Sequence, residues 1–110
     1  MESKVIVIVC TLGMSSSLLI SKMQQYVYES DLPVKILAVS SEEALEYAKD
    51  HQVDLVFLSP QVRFLKNKFV ESLANQPTKI ETISMSDYGL LDSRNILKQA
   101  FQLLAIDAPL

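Results

Sequence analysis

Cys10 is the only thiol in the 110 residues, and it closes the unbroken β-branched run Val5-Ile6-Val7-Ile8-Val9. After it come Thr11-Leu12-Gly13-Met14-Ser15-Ser16-Ser17 and then residues at helical spacing. A strand that passes through a short loop into a helix leaves the first helical amides unpaired, with the positive end of the macrodipole facing the loop. Gly13, one of two glycines, permits the positive φ with which a loop curls its N–H groups around an anion. Ser15, Ser16 and Ser17 supply hydroxyls as further donors or as helix caps. The same field favours a thiolate, so Cys10 is expected to have a lowered pKa and to be nucleophilic near neutral pH.

A thiolate facing a ring of amides can attack phosphorus and form a phosphocysteine. A cysteine-dependent phosphatase would need an arginine six positions after the cysteine, but Ser16 stands there and the loop contains no Arg or Lys. Without that guanidinium to clamp the transferring phosphoryl group, hydrolysis is disfavoured. A thioredoxin-type pair would need a second cysteine where Gly13 stands, and the nucleotide P-loop pattern is absent. One cysteine and one distant histidine do not make a metal site, so neither metal nor other cofactor is expected. A thiol that accepts a phosphoryl group and passes it on survives this elimination best. Two rivals stay open: a phosphatase or arsenate-reductase relative, and a non-catalytic module whose thiol is a buried core residue or a redox sensor.

The elements that must hold this loop are readable from periodicity. Val5–Val9 shows no polar alternation, as expected for a strand covered on both faces at the centre of a parallel sheet. Val34–Val39 and Val53–Leu58 read as two more strands, and the alternating Lys79-Ile80-Glu81-Thr82-Ile83 as a fourth, nearer an edge. Helices fall between them. One runs from Ser16 to about Glu29 on Leu19, Ile20, Met23 and Val27, and one opens at a capping box formed by Ser40 and Glu43. A third is marked by Val62, Leu65, Phe69 and Leu73 and closes near Asn75-Gln76-Pro77. The last begins around Asp92-Ser93, carries Ile96, Leu97, Ala100, Phe101 and Leu104, and ends before Pro109. Short connections and right-handed crossovers then predict an α/β fold: a single domain with a four-stranded parallel sheet and helices on both faces.

Composition agrees with a small globular domain. Mean hydropathy is +0.22, with 49% hydrophobic and 21% charged residues, which argues against disorder. A net charge of −3 and scattered basic residues disfavour nucleic acid as a partner. The apolar runs are too short for a membrane span and the N-terminus is too polar for a secretory signal, so a cytoplasmic protein with no direct membrane insertion is expected.

The strand and loop Val5–Val9, Cys10-Thr11-Leu12-Gly13-Met14-Ser15-Ser16-Ser17-Leu18-Leu19 resemble the enzyme IIB component of the bacterial sugar phosphotransferase system, in its lactose/cellobiose/diacetylchitobiose branch. Leu58-Ser59-Pro60-Gln61-Val62 resembles that family's Leu-Gly-Pro-Gln-Val/Ile segment, and Asp87-Tyr88-Gly89-Leu90-Leu91-Asp92 its Tyr-Gly turn before the last helix. The resemblance spans essentially the whole chain, so residues 1–110 are expected to form one such domain with a phosphatase-like parallel sheet. It implies that Cys10 takes a phosphoryl group from a phosphohistidine on a IIA component. Cys10 would then pass it to a sugar, such as cellobiose, lactose or diacetylchitobiose, bound by a membrane IIC component. By motif position Thr11, Leu12, Gly13, Met14, Ser15, Ser16 and Ser17 would form the phosphate-holding loop, mainly through backbone amides. Ser59, Pro60, Gln61 and Tyr88 are candidates for the rim that meets the partners. Ser59 and Ser93 depart from the family pattern, which commonly has glycine at both places; these differences are expected to bear on partner selection rather than on the chemistry.

Other residues have plainer readings. His51 is expected to end the second helix at the surface, and Glu42, Glu43, Glu46 and Asp50 to form a solvated helix face. Tyr26, Tyr28 and Tyr47 read as helix-face residues with a wet hydroxyl. Two readings of Asp87-Tyr88-Gly89 carry equal weight: a turn whose tyrosine overhangs the site, or an ordinary turn with Gly89 left-handed. Met14 either meets a partner protein or plugs the loop against the core.

Overall fold

The structure is a computed structural model in which residues 3–11 and 14–106 are described, without the side chains of residues 14–16. Four parallel strands, β1 (Lys4–Val9), β2 (Val34–Val39), β3 (Leu55–Leu58) and β4 (Lys79–Thr82), form one sheet in the order β2-β1-β3-β4. The run of β-branched residues accordingly lies in the middle of the sheet, and the alternating segment is an edge strand. Successive side chains of a strand point to opposite faces. Ile6, Ile8, Leu55 and Phe57 therefore pack on one side with α1 (Met14–Glu29) and α5 (Ser93–Leu104). Val7, Val9, Val56 and Leu58 pack on the other with α2 (Ser41–Asp50) and α3 (Lys66–Ser72).

Local chemistry accounts for the element boundaries. The capping box is present: Glu43 N–H donates to Ser40 Oγ at 3.3 Å, and Ser40 N–H to the Glu43 carboxylate at 3.3 Å. β3 starts at Leu55, later than Val53, because Asp54 turns its carboxylate back to accept from Val5 N–H at 2.8 Å. The expected third helix is in fact two pieces. Pro60–Leu65 is a 3₁₀ turn with Val62 off helical geometry (φ −116°, ψ 20°), and regular helix begins only at Lys66. Val62 is buried, so the tightened turn serves to bring its side chain into the core.

Two further differences lie near the carboxyl end of the sheet. Asp87-Tyr88-Gly89 belongs to a short helix, α4 (Met85–Gly89), because Ser84 Oγ accepts from Asp87 N–H at 3.1 Å and caps it. Gly89 is not left-handed: the positive φ that reverses the chain into α5 falls on Leu91, at 53°. α1 begins at Met14, earlier than Ser16. α5 ends at Leu104 on a left-handed Ala105, and Pro109 lies outside the described residues.

Candidate functional site

Parallel register places Val9 beside Val39 of β2 and beside Leu58 of β3. The ladder runs one step further on both sides: Cys10 N–H donates to Val39 O at 3.3 Å, and Ser59 N–H to Val9 O at 2.9 Å. Cys10 therefore sits where the chain order reverses, with β2 on one flank and β3 on the other. That crevice outside the carboxyl ends of the strands is where open α/β sheets bind ligands. Its side chain is 5% exposed.

From the thiol, the chain passes through Thr11, which is exposed, into α1. Leu12 and Gly13 lie outside the described residues, as do the side chains of Met14, Ser15 and Ser16, so neither reading of Met14 is tested. The backbone of Met14–Ser17 is already the first turn of a 16-residue helix, so these residues hold the helix's unpaired N–H groups rather than extending the loop. Ser17 and Leu18 are exposed on that turn. The first basic residue after Cys10 is Lys22, and its ammonium donates to Leu91 O at 3.3 Å. Between Cys10 and Lys22 the chain itself therefore offers positive character only through backbone dipoles, which attract an oxyanion without protonating a leaving group.

Of the residues expected at the rim, Gln61 is exposed, whereas Ser59, Pro60 and Tyr88 are buried. Tyr88 packs with Ile83, Ile96 and their neighbours in the core on the α1–α5 side. Ser59 is fully buried, and its Oγ is the one buried side-chain oxygen or nitrogen among the described residues that has no hydrogen-bond partner. Gln61 joins Pro60, Arg63, Phe64 and Met85 around an open depression of about 530 Å3. Phe64 and Met85 are 75% and 62% exposed, and sequence reasoning did not single them out. Their signal was available: Phe64 lies off the Val62-Leu65-Phe69-Leu73 stripe, so it had no core position to fill.

His51 is remote from this site. It follows the last residue of α2, at the opposite end of the sheet from Cys10, and is exposed there, stacked on Tyr47 at 4.1 Å between ring centroids. Glu42, Glu43, Glu46 and Asp50 are all exposed along the same helix. Tyr28 is open to solvent, and Tyr26 packs partly against the core. Ser93 opens α5 behind Asp92, whose carboxylate caps Asn95 N–H at 3.1 Å. No helix among the described residues is long and apolar enough to cross a membrane.

Comparison with known proteins agrees with this geometry. The family model described as PTS system, lactose/cellobiose-specific IIB subunit, matches residues 5–99. The chain is 33% identical over 101 residues to the oligo-beta-mannoside-specific EIIB component of Bacillus subtilis (strain 168), an alignment covering 92% of this chain and 96% of that protein. It is 32% identical over 107 residues to the cellobiose-specific EIIB component of Lactococcus lactis subsp. lactis (strain IL1403), covering 94% and 99%. Among solved structures, the cellobiose-specific phosphotransferase IIB component from Borrelia burgdorferi superposes with a TM-score of 0.75 at 28% identity, over 98% of this chain and 97% of that one. The lactose-specific IIB domain from Streptococcus pneumoniae shares the fold, with a TM-score of 0.74 at 18% identity over 93% and 97%.

Proposed function

The chain belongs to the lactose/cellobiose-specific IIB subunits of the sugar phosphotransferase system, and from that premise we propose that Cys10 is the residue that carries its phosphoryl group. The observation that supports this most directly is position. Cys10 ends the central strand at the reversal of strand order, immediately before the N-terminal turn of a long helix. The Cys10 thiolate attacks the phosphorus of a phosphohistidine on a IIA protein. The S–P bond forms as the P–N bond breaks, and the imidazole nitrogen keeps the electron pair and takes up a proton. In the second step a hydroxyl oxygen of the sugar on the membrane IIC component attacks phosphorus. The S–P bond breaks, Cys10 Sγ leaves as thiolate, and the hydroxyl proton passes to a base on the IIC side. The acceptor is a β-linked disaccharide such as cellobiose, lactose or diacetylchitobiose, and both transfers take place on the cytoplasmic side.

The residues around Cys10 fit carriage better than hydrolysis. Amides of the segment 11–17, with the hydroxyls of Ser15, Ser16 and Ser17 as assistants, hold the phosphoryl oxygens. No guanidinium or ammonium in this segment activates the group toward water. Docking of the protein donor supplies orientation, which accounts for much of the rate in phosphoryl transfer. Gln61, with Phe64 and Met85 beside it, forms the part of the rim that the partner touches. The test is intact mass after incubation with phosphoenolpyruvate, the general phosphotransferase proteins and a IIA donor. One phosphoryl adduct on the wild type and none on Cys10→Ser is the expected result. An adduct that persists on Cys10→Ser removes the assignment.

A further inference from the structure

Register and alternation bring a second polar side chain to the thiol. Val9 pairs with Leu58, so the next pair along these parallel strands is Cys10 and Ser59, and Ser59 keeps extended geometry (φ −66°, ψ 156°). Ile8 and Phe57 face the α1–α5 side while Val9 and Leu58 face the other. One step further, the period of two puts Cys10 and Ser59 on a common face of the two strands. Neighbouring strands lie about 4.8 Å apart, so side chains paired on one face lie within reach of each other through a change of serine rotamer. Ser59 Oγ is fully buried and has no hydrogen-bond partner among the described residues, although Ser59 precedes a helical turn that it could have capped. A buried hydroxyl left unpaired forfeits its hydration without replacement, so such a group calls for an explanation beyond packing.

We propose that the Ser59 hydroxyl is a hydrogen-bond donor to the Cys10 sulfur, engaged when that sulfur carries negative charge. It lowers the energy of the resting thiolate and of the thiolate that departs as the S–P bond breaks. The hydroxyl keeps its proton throughout. This role rests on the carrier reading of Cys10, and it moves Ser59 from partner selection, where its sequence position placed it, to the chemistry: a side chain with no exposed surface does not touch a docking protein.

Ser59→Ala deletes the donor with almost no change of volume, and Ser59→Gly deletes the side chain altogether. Cys10 is the only cysteine, so thiolate ultraviolet absorbance against pH reads its ionisation alone, with Cys10→Ser as the blank. In both Ser59 variants the thiol titration midpoint is expected to rise by about one pH unit or more, the size of a lost hydrogen bond to a charged group. Phosphoryl transfer from the charged protein to sugar on IIC should slow about tenfold. At a pH well below the thiol midpoint, where the sulfur is uncharged, the thermal midpoint of Ser59→Ala should equal or exceed that of the wild type, because the hydroxyl has no partner to lose there. An unchanged thiol titration in folded Ser59→Ala overturns the proposal. So does a lowered thermal midpoint with unchanged titration, which would make Ser59 structural. If the wild type never acquires a phosphoryl group, the carrier reading fails by itself, while the titration still decides whether Ser59 bonds the thiolate.

Discussion

At the amino-terminal end of the sheet, the Asp54 carboxylate accepts from Val5 N–H at 2.8 Å and lies 3.9 Å from the Lys4 ammonium, while Asp54 N–H donates to Val5 O at 2.9 Å. Lys79 N–H donates to Asp54 O at 3.1 Å, and Thr78 Oγ1 to Val53 O at 2.7 Å. These contacts tie three strand starts together. At the carboxyl end, the buried Ser59 hydroxyl has no partner among the described residues, and α1 starts just after Cys10, where the first amides of a helix lack intrahelical partners. Leu18, Phe64, Met85 and Leu90, on elements that leave this end, are all large, apolar and at least half exposed. The Asp54 carboxylate is committed to the fold, whereas the Ser59 hydroxyl is not. A site that must bind and release a phosphoryl group needs donors not already engaged, and the stability lost there is recovered where no chemistry occurs.

Substitutions that separate the two ends test this contrast. Cys10→Ser should abolish phosphoryl acceptance while leaving the urea unfolding midpoint close to wild type, as the intact mass and a denaturation curve together will show. Asp54→Ala should do the reverse. Losing a charge-assisted bond to Val5 N–H is expected to cost about 1.5–3 kcal/mol of unfolding free energy, with acceptance per folded molecule unchanged. Should folded Asp54→Ala fail to accept phosphate, the two ends are not independent and the contrast breaks. Phe64→Ser should leave the thermal midpoint in place and raise the KM for the IIA donor about fivefold, the loss of one modest interface contact. An unchanged KM would put the docking surface elsewhere.

The smallest effect belongs to Lys66 and Glu81, 2.9 Å apart at the edge strand. The hydrogen bond from Lys66 lowers the Glu81 pKa below its ordinary 4.5, against the opposing effect of burial and with help from Thr82 N–H and the Lys66 charge. A lowered folded-state pKa contributes stability that is present above the ordinary value and lost as pH falls through the folded one. Lys66→Met should raise the Glu81 midpoint in an NMR titration and remove that increment. Both side chains are more than a third exposed, so the change at neutral pH should be under about 1 kcal/mol.

Much of this molecule is written locally. The β-branched run before Cys10 makes a central strand because such side chains suit a surface covered on both faces. Ser40 and Glu43 open α2 because each supplies the acceptor that the other's amide lacks. The cysteine followed by Gly13 and a polar helix start marked the candidate site for the same kind of reason: backbone dipoles at a strand-to-helix junction are a property of neighbours along the chain. α4 was also legible, in Ser84 three residues before Asp87, although a turn was the simpler reading.

What only the tertiary structure decided is which side chains from separate strands meet, and which face outward. Tyr88 turned into the core and Phe64 out of it, and His51 came to lie at the opposite end of the sheet from the thiol. Ser59 came to lie beside Cys10 because β3 pairs with β1 in a register that aligns Leu58 with Val9. Hydrophobic period gives each strand its two faces, but strand order and register come from packing the helices over both sides of the sheet at once. A serine whose own neighbours are Leu58 and Pro60 carries no local sign that its strand will run beside the one that ends in the cysteine.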